Sequence, residues 1–194
     1  AGAISSMLTA AGEGGARAVV MKEVCVSEEF IAALEQSEAP WCATYSAERA
    51  ALVCDQPFDD WFAANFSRKR RKEYRRLHNR LSETGDLQSV EFGAGDDPQL
   101  WIDQFLELES SGWKGQRGTA MVCDPAQRNA ISEALTRLAR KDDLMFWKLA
   151  LDGRPIAMLF AIRSGDTAGL GKIAYDEDLS AFSPGVHLIL DATR

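Results

Sequence analysis

Two carboxylates and a tryptophan-lysine pair form the first group of residues that could do chemistry. Glu107 and Glu109 end an apolar segment with helical spacing, just before the glycine-flanked pair Trp113 and Lys114. A carboxyl group in a pocket can exchange a proton near neutral pH, because burial raises its pKa. Exposed glutamates are also common at helix ends, so the pattern leaves a structural role open.

A second group lies near the end of the sequence, where Ser183-Pro184-Gly185 opens an apolar helix. The first turn of a helix has free N–H groups and partial positive charge, so it can hold a phosphate or a carboxylate. Proline fits there because it lacks an N–H group. The strand before this turn contains Gly169 and Gly171, which permit close approach by a ligand or another backbone. Many helices that bind nothing begin in the same way.

The third feature is a basic run between Arg68 and Arg80. It holds eight lysines and arginines against one glutamate, whereas the chain of 194 residues carries a net charge of -7. Apolar residues at Tyr74, Leu77 and Leu81 recur at helical spacing, so the run predicts an amphipathic helix with a cationic outer surface. This surface is either a solvated helix face or a platform for a phosphate-bearing ligand such as a nucleotide, a lipid headgroup or RNA.

Several classes of protein are disfavoured by the sequence. The four cysteines are widely spaced and form no C-x-x-C pair, so no metal site is predicted. No apolar run approaches the length of a membrane span, and the N-terminus lacks the pattern of a signal peptide, which predicts a cytoplasmic protein. The motifs of serine hydrolases, zinc proteases and P-loop proteins do not occur.

The segments that must position these residues follow a clear order. One long amphipathic helix, or two in succession, is predicted over residues 57–80, and further helices begin at Pro98 and at Asp124-Pro125. Three strands over residues 144–151, 155–163 and 167–175 alternate with short turns, which predicts an antiparallel meander. Before residue 57, helices are predicted around Ile4–Ala11 and 28–36, with short strands at 18–24, 41–45 and 49–54.

This order, with the motifs quoted above, resembles the GNAT acyltransferase fold. The basic run 67–73, the segment 108–115, Asp152-Gly153-Arg154-Pro155 and the segment 172–176 with Ser183-Pro184-Gly185 resemble the GNAT-like family that includes the cellulose-biosynthesis protein CelD and is related to the FemAB aminoacyltransferases. The resemblance implies a mixed α/β fold with a mostly antiparallel central sheet flanked by helices. It assigns residues 57–194 to a GNAT-like domain that is truncated at its C-terminus, and residues 1–56 to the end of a preceding GNAT-like lobe.

The resemblance also implies an activity: transfer of an acyl group from acyl-CoA, or a related activated donor, to an amine or hydroxyl acceptor. In such enzymes the strand before the pyrophosphate turn offers backbone groups to the donor, and one amide can stabilise the developing oxyanion. The donor-binding residues would then be Ile173, Ala174, Tyr175, Ser183, Gly185 and Val186. Glu109 or Asp176 is the expected base, with Lys172 assisting with charge. Acceptor-binding residues would be Arg70, Arg71, Trp113 and Lys114.

The acceptor implied by the resemblance is a small molecule, a saccharide or a peptide, in exopolysaccharide or cell-envelope synthesis. One departure from the family pattern is that Ala181-Phe182-Ser183-Pro184-Gly185 replaces the usual glycine-rich pyrophosphate loop. Two alternatives stay open: a FemAB-like transferase that uses aminoacyl-tRNA, and a module that binds RNA or anionic lipid through residues 68–80. A non-catalytic scaffold lobe is the third alternative, and the sequence leaves oligomerisation undecided.

Overall fold

Four antiparallel strands form a sheet in the second of two units into which the chain divides, Ala1–Leu52 and Val53–Arg194. The computed structural model describes residues 2–21, 24, 26–48, 51–53, 55–112, 115, 117–118 and 120–194. Each strand pairs with the next along the chain, so the sheet is a meander. The strands are β1 (Leu87–Glu91), β2 (Leu144–Leu151), β3 (Arg154–Ser164) and β4 (Thr167–Tyr175).

Tight turns with left-handed backbone join the last three strands. Asp152 and Gly153 have φ angles of 50° and 78°, and two consecutive positive φ angles match the twist of a two-residue hairpin. Gly165, with a φ of 62°, lies in the turn between β3 and β4. The antiparallel meander predicted from the sequence is confirmed, and β1 extends it beside β2.

The helices begin at capping residues that the sequence makes recognisable. Ser67 accepts a hydrogen bond from the Arg70 N–H group at 3.3 Å, and Asp97 and Asp124 cap the helices that begin at Pro98 and Pro125. Phe66 has extended backbone, so residues 57–80 form two helices rather than one. The helices are α1 (Gly2–Glu13), α2 (Glu28–Gln36), α3 (Phe58–Asn65), α4 (Arg68–Ser82), α5 (Pro98–Ser111), α6 (Pro125–Arg140) and α7 (Pro184–Ala192), with 3₁₀ turns at Met121–Cys123 and Glu177–Phe182.

Two apolar clusters lie on opposite faces of the sheet. One face packs against α5 and α6, and its cluster includes Phe105, Phe146 and Phe160. The other face packs against α4 and α7, through Leu81 and Leu188. Each fully buried large side chain of this kind contributes about 1.5–3 kcal/mol through its removal from water. The sheet therefore separates two sets of helices, and the candidate site residues on its two faces differ.

The unit Ala1–Leu52 contains the two predicted helices, α1 and α2. Ser27 caps α2 by accepting a hydrogen bond from the Phe30 N–H group at 3.2 Å. The strands predicted at 18–24, 41–45 and 49–54 are not formed by the described residues of those segments, and this prediction is wrong for them. A strand needs a neighbour for its backbone hydrogen bonds, and no described residue of this unit is in a strand. The assignment of residues 1–56 to a preceding GNAT-like lobe remains a prediction.

Candidate active site

A bulge in β4 lies immediately before Lys172. Phe160 pairs with Lys172 whereas Ala161 pairs with Leu170, so Gly171 is the extra residue of the strand. A Cβ atom on Gly171 would lie 2.1 Å from Cε2 of Phe160, so the aromatic ring fills the space that any side chain would need. Because a bulge bends its strand and redirects the neighbouring side chains, Gly171 helps to set the direction in which Lys172 leaves the sheet.

Lys172 points toward α5, where its ammonium group forms a salt bridge with the carboxylate of Glu109. The side chain of Glu109 is 1% exposed and that of Lys172 is 30% exposed. The second carboxylate oxygen of Glu109, Oε2, accepts a hydrogen bond from the Met121 N–H group at 3.0 Å. A buried charge is tolerated when it is paired and hydrogen-bonded, and Glu109 meets both conditions. The structure thus brings together two of the three predicted catalytic residues.

The helical spacing of α5 explains why Glu109 is buried. Phe105 and Leu106, four and three residues earlier, are buried in the core, and residues at these spacings share one face of a helix. Glu109 therefore continues the apolar face of α5 to its last turn, whereas Glu107 is exposed. The sequence shows this spacing, but it does not show that Lys172 is the partner of Glu109.

The outer edge of β4 is unpaired among the described strands. The Asp176 N–H group donates to the Ile156 carbonyl at 2.8 Å, just after the strand ends. Hydrogen-bonded and non-hydrogen-bonded pairs alternate in an antiparallel ladder. With Tyr175 opposite Ala157 and Ile173 opposite Leu159, the backbone N–H and C=O groups of Ile173 and Tyr175 therefore point away from β3. An acyl donor that lies along this edge would meet both residues.

The turn before α7 lies beside the end of β4. A Cβ atom on Gly185 would lie 3.2 Å from Cδ1 of Ile173 and 3.4 Å from Cδ1 of Tyr175, so the helix start is close to the strand. Ser183 adopts the left-handed conformation, with φ 56° and ψ 50°. The two segments in which donor-binding residues were predicted, the end of β4 and the turn before α7, therefore lie side by side. Ala174, between Ile173 and Tyr175, points to the opposite face and is buried near Phe160.

The amide groups of this turn are partly used within the protein. The Ser183 N–H group donates to the Ser180 carbonyl, and the Val186 N–H group donates to the Ser183 carbonyl, both at 3.0 Å. Pro184 has no N–H group. Among the residues from Ser183 to Val186, Gly185 therefore has the backbone donor best placed to meet an anion.

Asp176, the third predicted catalytic residue, has structural partners for both carboxylate oxygens. Oδ1 accepts a hydrogen bond from the Asp178 N–H group at 3.0 Å and thereby caps the 3₁₀ turn Glu177–Phe182. Oδ2 lies 2.8 Å from a guanidinium nitrogen of Arg154. With these partners, Asp176 fixes the end of β4 and the start of the 3₁₀ turn.

The predicted acceptor-binding residues fall in two places. Arg70 and Arg71 lie on α4, which packs on the face of the sheet opposite α5 and Glu109. The structure does not bring them to the Glu109–Lys172 pair. Trp113 and Lys114 lie outside the described residues.

Two further residues lie near the site, and the first of them, Glu177, was missed by the sequence analysis. Oε1 of Glu177 lies 2.8 Å from the position of a Cβ atom on Gly112, at the end of α5, so a second glutamate approaches this part of the site. His187, which follows the donor turn, is 4% exposed, and its ring lies 5.4 Å from the ring of His78 on α4. Burial, and next the charge of His78, lower the pKa of His187 from 6.5.

The family is established by a match over most of the sheet-containing unit. A family model described as an acetyltransferase (GNAT) domain matches residues 68–194, more than half of the chain. The chain belongs to the GNAT acetyltransferase family. The predicted fold of the GNAT domain, a mixed α/β structure with an antiparallel sheet flanked by helices, is confirmed. Transfer of an acetyl group is the activity that the description of this family names.

Comparisons beyond the family model add little to the assignment of this GNAT domain. No curated protein matches the chain. A crystal structure of a conserved protein of unknown function from Bacteroides thetaiotaomicron is 18% identical, with a TM-score of 0.44, over 69% of this chain and 42% of that protein. The chain thus spans less than half of that protein's length.

The described residues of the GNAT chain lack both a metal-ion cluster and a membrane-spanning helix. These residues contain no cluster of three or more histidine, cysteine, aspartate or glutamate side chains suited to a metal ion. The helices that they form are all too short or too polar to span a bilayer.

Proposed function

We propose that this GNAT domain transfers an acyl group from acyl-CoA to an amine or hydroxyl group of a small-molecule, saccharide or peptide acceptor. The observation that carries the proposal is the position of the open edge of β4. Its backbone groups lie between the turn at Gly185, on one face of the sheet, and Lys172, on the other. Donor and acceptor would meet at this edge from opposite faces.

The donor fits the α7 side of β4. Its amide-containing arm would pair with the outward backbone groups of Ile173 and Tyr175, as a peptide pairs with an edge strand. Its phosphates would approach the start of α7, where Gly185 has no side chain and offers an N–H group. The donor site has fewer free amides than a glycine-rich loop would supply, because Ser183 and Val186 use theirs internally.

The reaction at the edge is a nucleophilic acyl substitution. The acceptor's lone pair forms a bond to the thioester carbon, the carbonyl oxygen takes up negative charge, and a backbone N–H group of Ile173 or Tyr175 stabilises it. The C–S bond then breaks and releases CoA. The proton lost by the acceptor neutralises the departing thiolate, so charge and protons balance.

Within this mechanism we assign Lys172 to charge stabilisation and Glu109 to positioning. Lys172 is the member of the pair that reaches solvent, so its ammonium group can face the acceptor. Glu109 is enclosed, and its oxygens hold Lys172 and the Met121 amide, which favours orientation of Lys172 over direct proton transfer. Asp176, with Asp178 and Arg154 on its oxygens, is assigned a structural role rather than that of a base.

The finer expectations from the sequence remain predictions. They include a role in exopolysaccharide or cell-envelope synthesis, the CelD-type relationship, an aminoacyl-tRNA donor and a cytoplasmic location. The observation that supports a CoA thioester as donor is the approach of the helix start at Gly185 to Tyr175, at the end of β4.

A binding experiment tests the donor site. We expect the chain to bind acetyl-CoA saturably by isothermal titration calorimetry, and Gly185→Leu to abolish binding, because the new side chain would occupy the space beside Ile173 and Tyr175. The matched control is Gly95→Leu, since nothing lies within 4 Å of a Cβ atom on Gly95. Failure of wild type to bind either acetyl-CoA or free CoA would reject an acyl-CoA donor.

A further inference from the structure

The outer face of α4 carries a dense row of cations. Tyr74, Leu77 and Leu81 turn inward, and Tyr74 packs against the aromatic rings of Phe62 on α3 and of Phe66, which follows that helix. We define the cationic face of α4 by its exposed outward residues, Arg68, Lys69, Lys72, Arg75 and Arg76. Arg68 and Arg76 lie eight positions apart on this helix, so at a rise of about 1.5 Å per residue the face presents its charges over about 12 Å.

The placement of these charges opposes the stability of the helix. Arg68, Lys69 and Arg70 occupy the first turn, which contains no acidic residue. Cations at a helix N-terminus are unfavourable because the macrodipole is positive there. The peptide dipoles and the side chains thus add up to a concentrated positive field, which an anionic partner would neutralise.

Few carboxylates neutralise this face within the protein. Glu73 makes a bidentate contact with Arg76, with N–O distances of 2.6 and 2.9 Å. Among the described residues, the recorded salt bridges of α4 are confined to this pair. The segment from Arg68 to Arg80 carries a net charge of +7, so the rest of the chain carries -14. The concentrated positive charge of α4 would therefore favour approach of a polyanion to this helix over the net-acidic remainder of the chain.

We propose that the cationic face of α4 binds the phosphodiester backbone of a nucleic acid strand. Three of the five residues that define the face are arginines, whose planar guanidinium groups match phosphate oxygens in pairs. Residues four positions apart are about 6 Å apart along the axis, so the face can contact several phosphates in succession rather than one. The binding proposed for this surface does not depend on the acyl-transfer proposal.

A nucleic acid fits this surface better than a membrane does. Binding of a helix to a bilayer gains strength from apolar side chains that enter the lipid. The exposed large apolar residues that the structure describes all lie outside α3 and α4. Attraction to the cationic face is therefore electrostatic, and it is expected to weaken steeply with salt.

The test compares two variants of the whole chain that remove the same charge. One is Arg68→Gln/Lys72→Gln/Arg75→Gln/Arg76→Gln on α4. The other is Arg128→Gln/Arg137→Gln/Arg140→Gln/Lys141→Gln, on α6 and at its C-terminal end. Circular dichroism and melting temperature confirm that each variant is folded. Fluorescence anisotropy then measures binding of labelled 12-nucleotide RNA and DNA strands of the same mixed sequence, between low and moderate salt.

We expect wild type and the α6 variant to bind one or both strands, with log Kd rising linearly with log salt at about 0.7 per phosphate contacted. The α4 variant should bind at least tenfold more weakly, with a much shallower slope. Equal losses in the two variants, or no binding by wild type, would overturn the proposal. Binding of wild type to phosphatidylserine vesicles, lost in the α4 variant without any nucleic acid binding, would also overturn it and assign the face to a membrane surface.

Discussion

The carboxylate of Glu109 is enclosed, whereas the ammonium group of its partner Lys172 reaches solvent. The exposed fractions of the two side chains are 1% and 30%. If the pair is broken, Lys172 can turn toward water, but Glu109 remains buried and has lost the ammonium group beside its carboxylate. Removing Lys172 and removing Glu109 therefore have different consequences for stability, although each change breaks the same salt bridge.

We expect Lys172→Met to lower the free energy of unfolding by about 3 kcal/mol, the lower end of the range for breaking a buried ion pair. Glu109→Gln should cost about 1 kcal/mol, because a neutral amide can still accept from Met121. Urea denaturation of both single variants and the double variant measures the difference. Equal losses in the two single variants would contradict the asymmetry of burial.

The role proposed for Lys172 in the reaction gives a second readout from the same variants. With acetyl-CoA as donor, Lys172→Met should lower kcat more than it raises the KM of the donor, because the assigned role is in the transition state. Lys172→Arg should recover part of the rate, since it keeps the charge beside Glu109. A merely structural Lys172 would give lower stability with no selective loss of kcat in the folded fraction.

We expect that Gly171 does not tolerate a side chain, whereas Gly169, two residues earlier in the same strand, does. In Gly171→Ala the added Cβ atom would lie 2.1 Å from the ring of Phe160, and the resulting shift should cost about 1–3 kcal/mol. In Gly169→Ala the added Cβ atom would lie 3.9 Å from the carbonyl oxygen of Ile162, which is an ordinary contact distance, so the stability should change little. Thermal denaturation compares the two. Combining Gly171→Ala with Phe160→Leu should restore part of the loss if the ring is the cause.

Much of the fold was predictable because its signals are local. Ser67, Asp97 and Asp124 cap helices through hydrogen bonds to residues two or three positions ahead. Asp152 and Gly153 form their hairpin from adjacent residues. Such features depend on short stretches of backbone, so the residue types alone indicate them.

The site was only partly predictable because its contacts join distant segments. Glu109 and Lys172 were each chosen as catalytic candidates, but nothing in the sequence indicated that they pair across the space between α5 and β4. The bulge at Gly171 depends on the register of β3, which places Phe160 over it. Arg70 and Arg71 were grouped with Trp113 and Lys114, yet the sheet separates α4 from α5, because sequence patterns do not specify which face of a sheet a helix covers.

Stability should fall on acidification because of His187. Burial, first, and the charge of His78, second, lower its pKa, whereas the Phe182 backbone and Asp191 act in the opposite direction. The unfolded chain therefore binds a proton more readily than the folded chain. The stabilisation is complete above about pH 6.5 and is lost as pH falls through the lower pKa of the folded state.

We expect wild type to lose more free energy of unfolding between pH 7.5 and 5.5 than His187→Gln does, with a slope of at most about 1.4 kcal/mol per pH unit for this group. His78→Gln should reduce the loss, because it removes the neighbouring charge that lowers the pKa of His187. Urea denaturation at several pH values measures these differences. Identical pH dependence in wild type and His187→Gln would exclude His187 as the source.

Asp176 offers a test between a base and a structural residue. Asp176→Asn keeps an oxygen that can accept from the Asp178 N–H group but loses the charge beside Arg154, which is 65% exposed at its side chain. Since exposed ion pairs contribute about 0–1 kcal/mol, this variant should be nearly as stable as wild type, whereas Asp176→Ala should lose a further 0.5–2 kcal/mol, roughly the value of a helix cap. If Asp176 acts through structure alone, kcat in Asp176→Asn should stay within about threefold of wild type across the pH range, a difference of less than about 0.7 kcal/mol in activation energy. A loss of kcat by orders of magnitude in this stable variant, together with disappearance of an acidic limb from the pH profile, would instead make Asp176 the base.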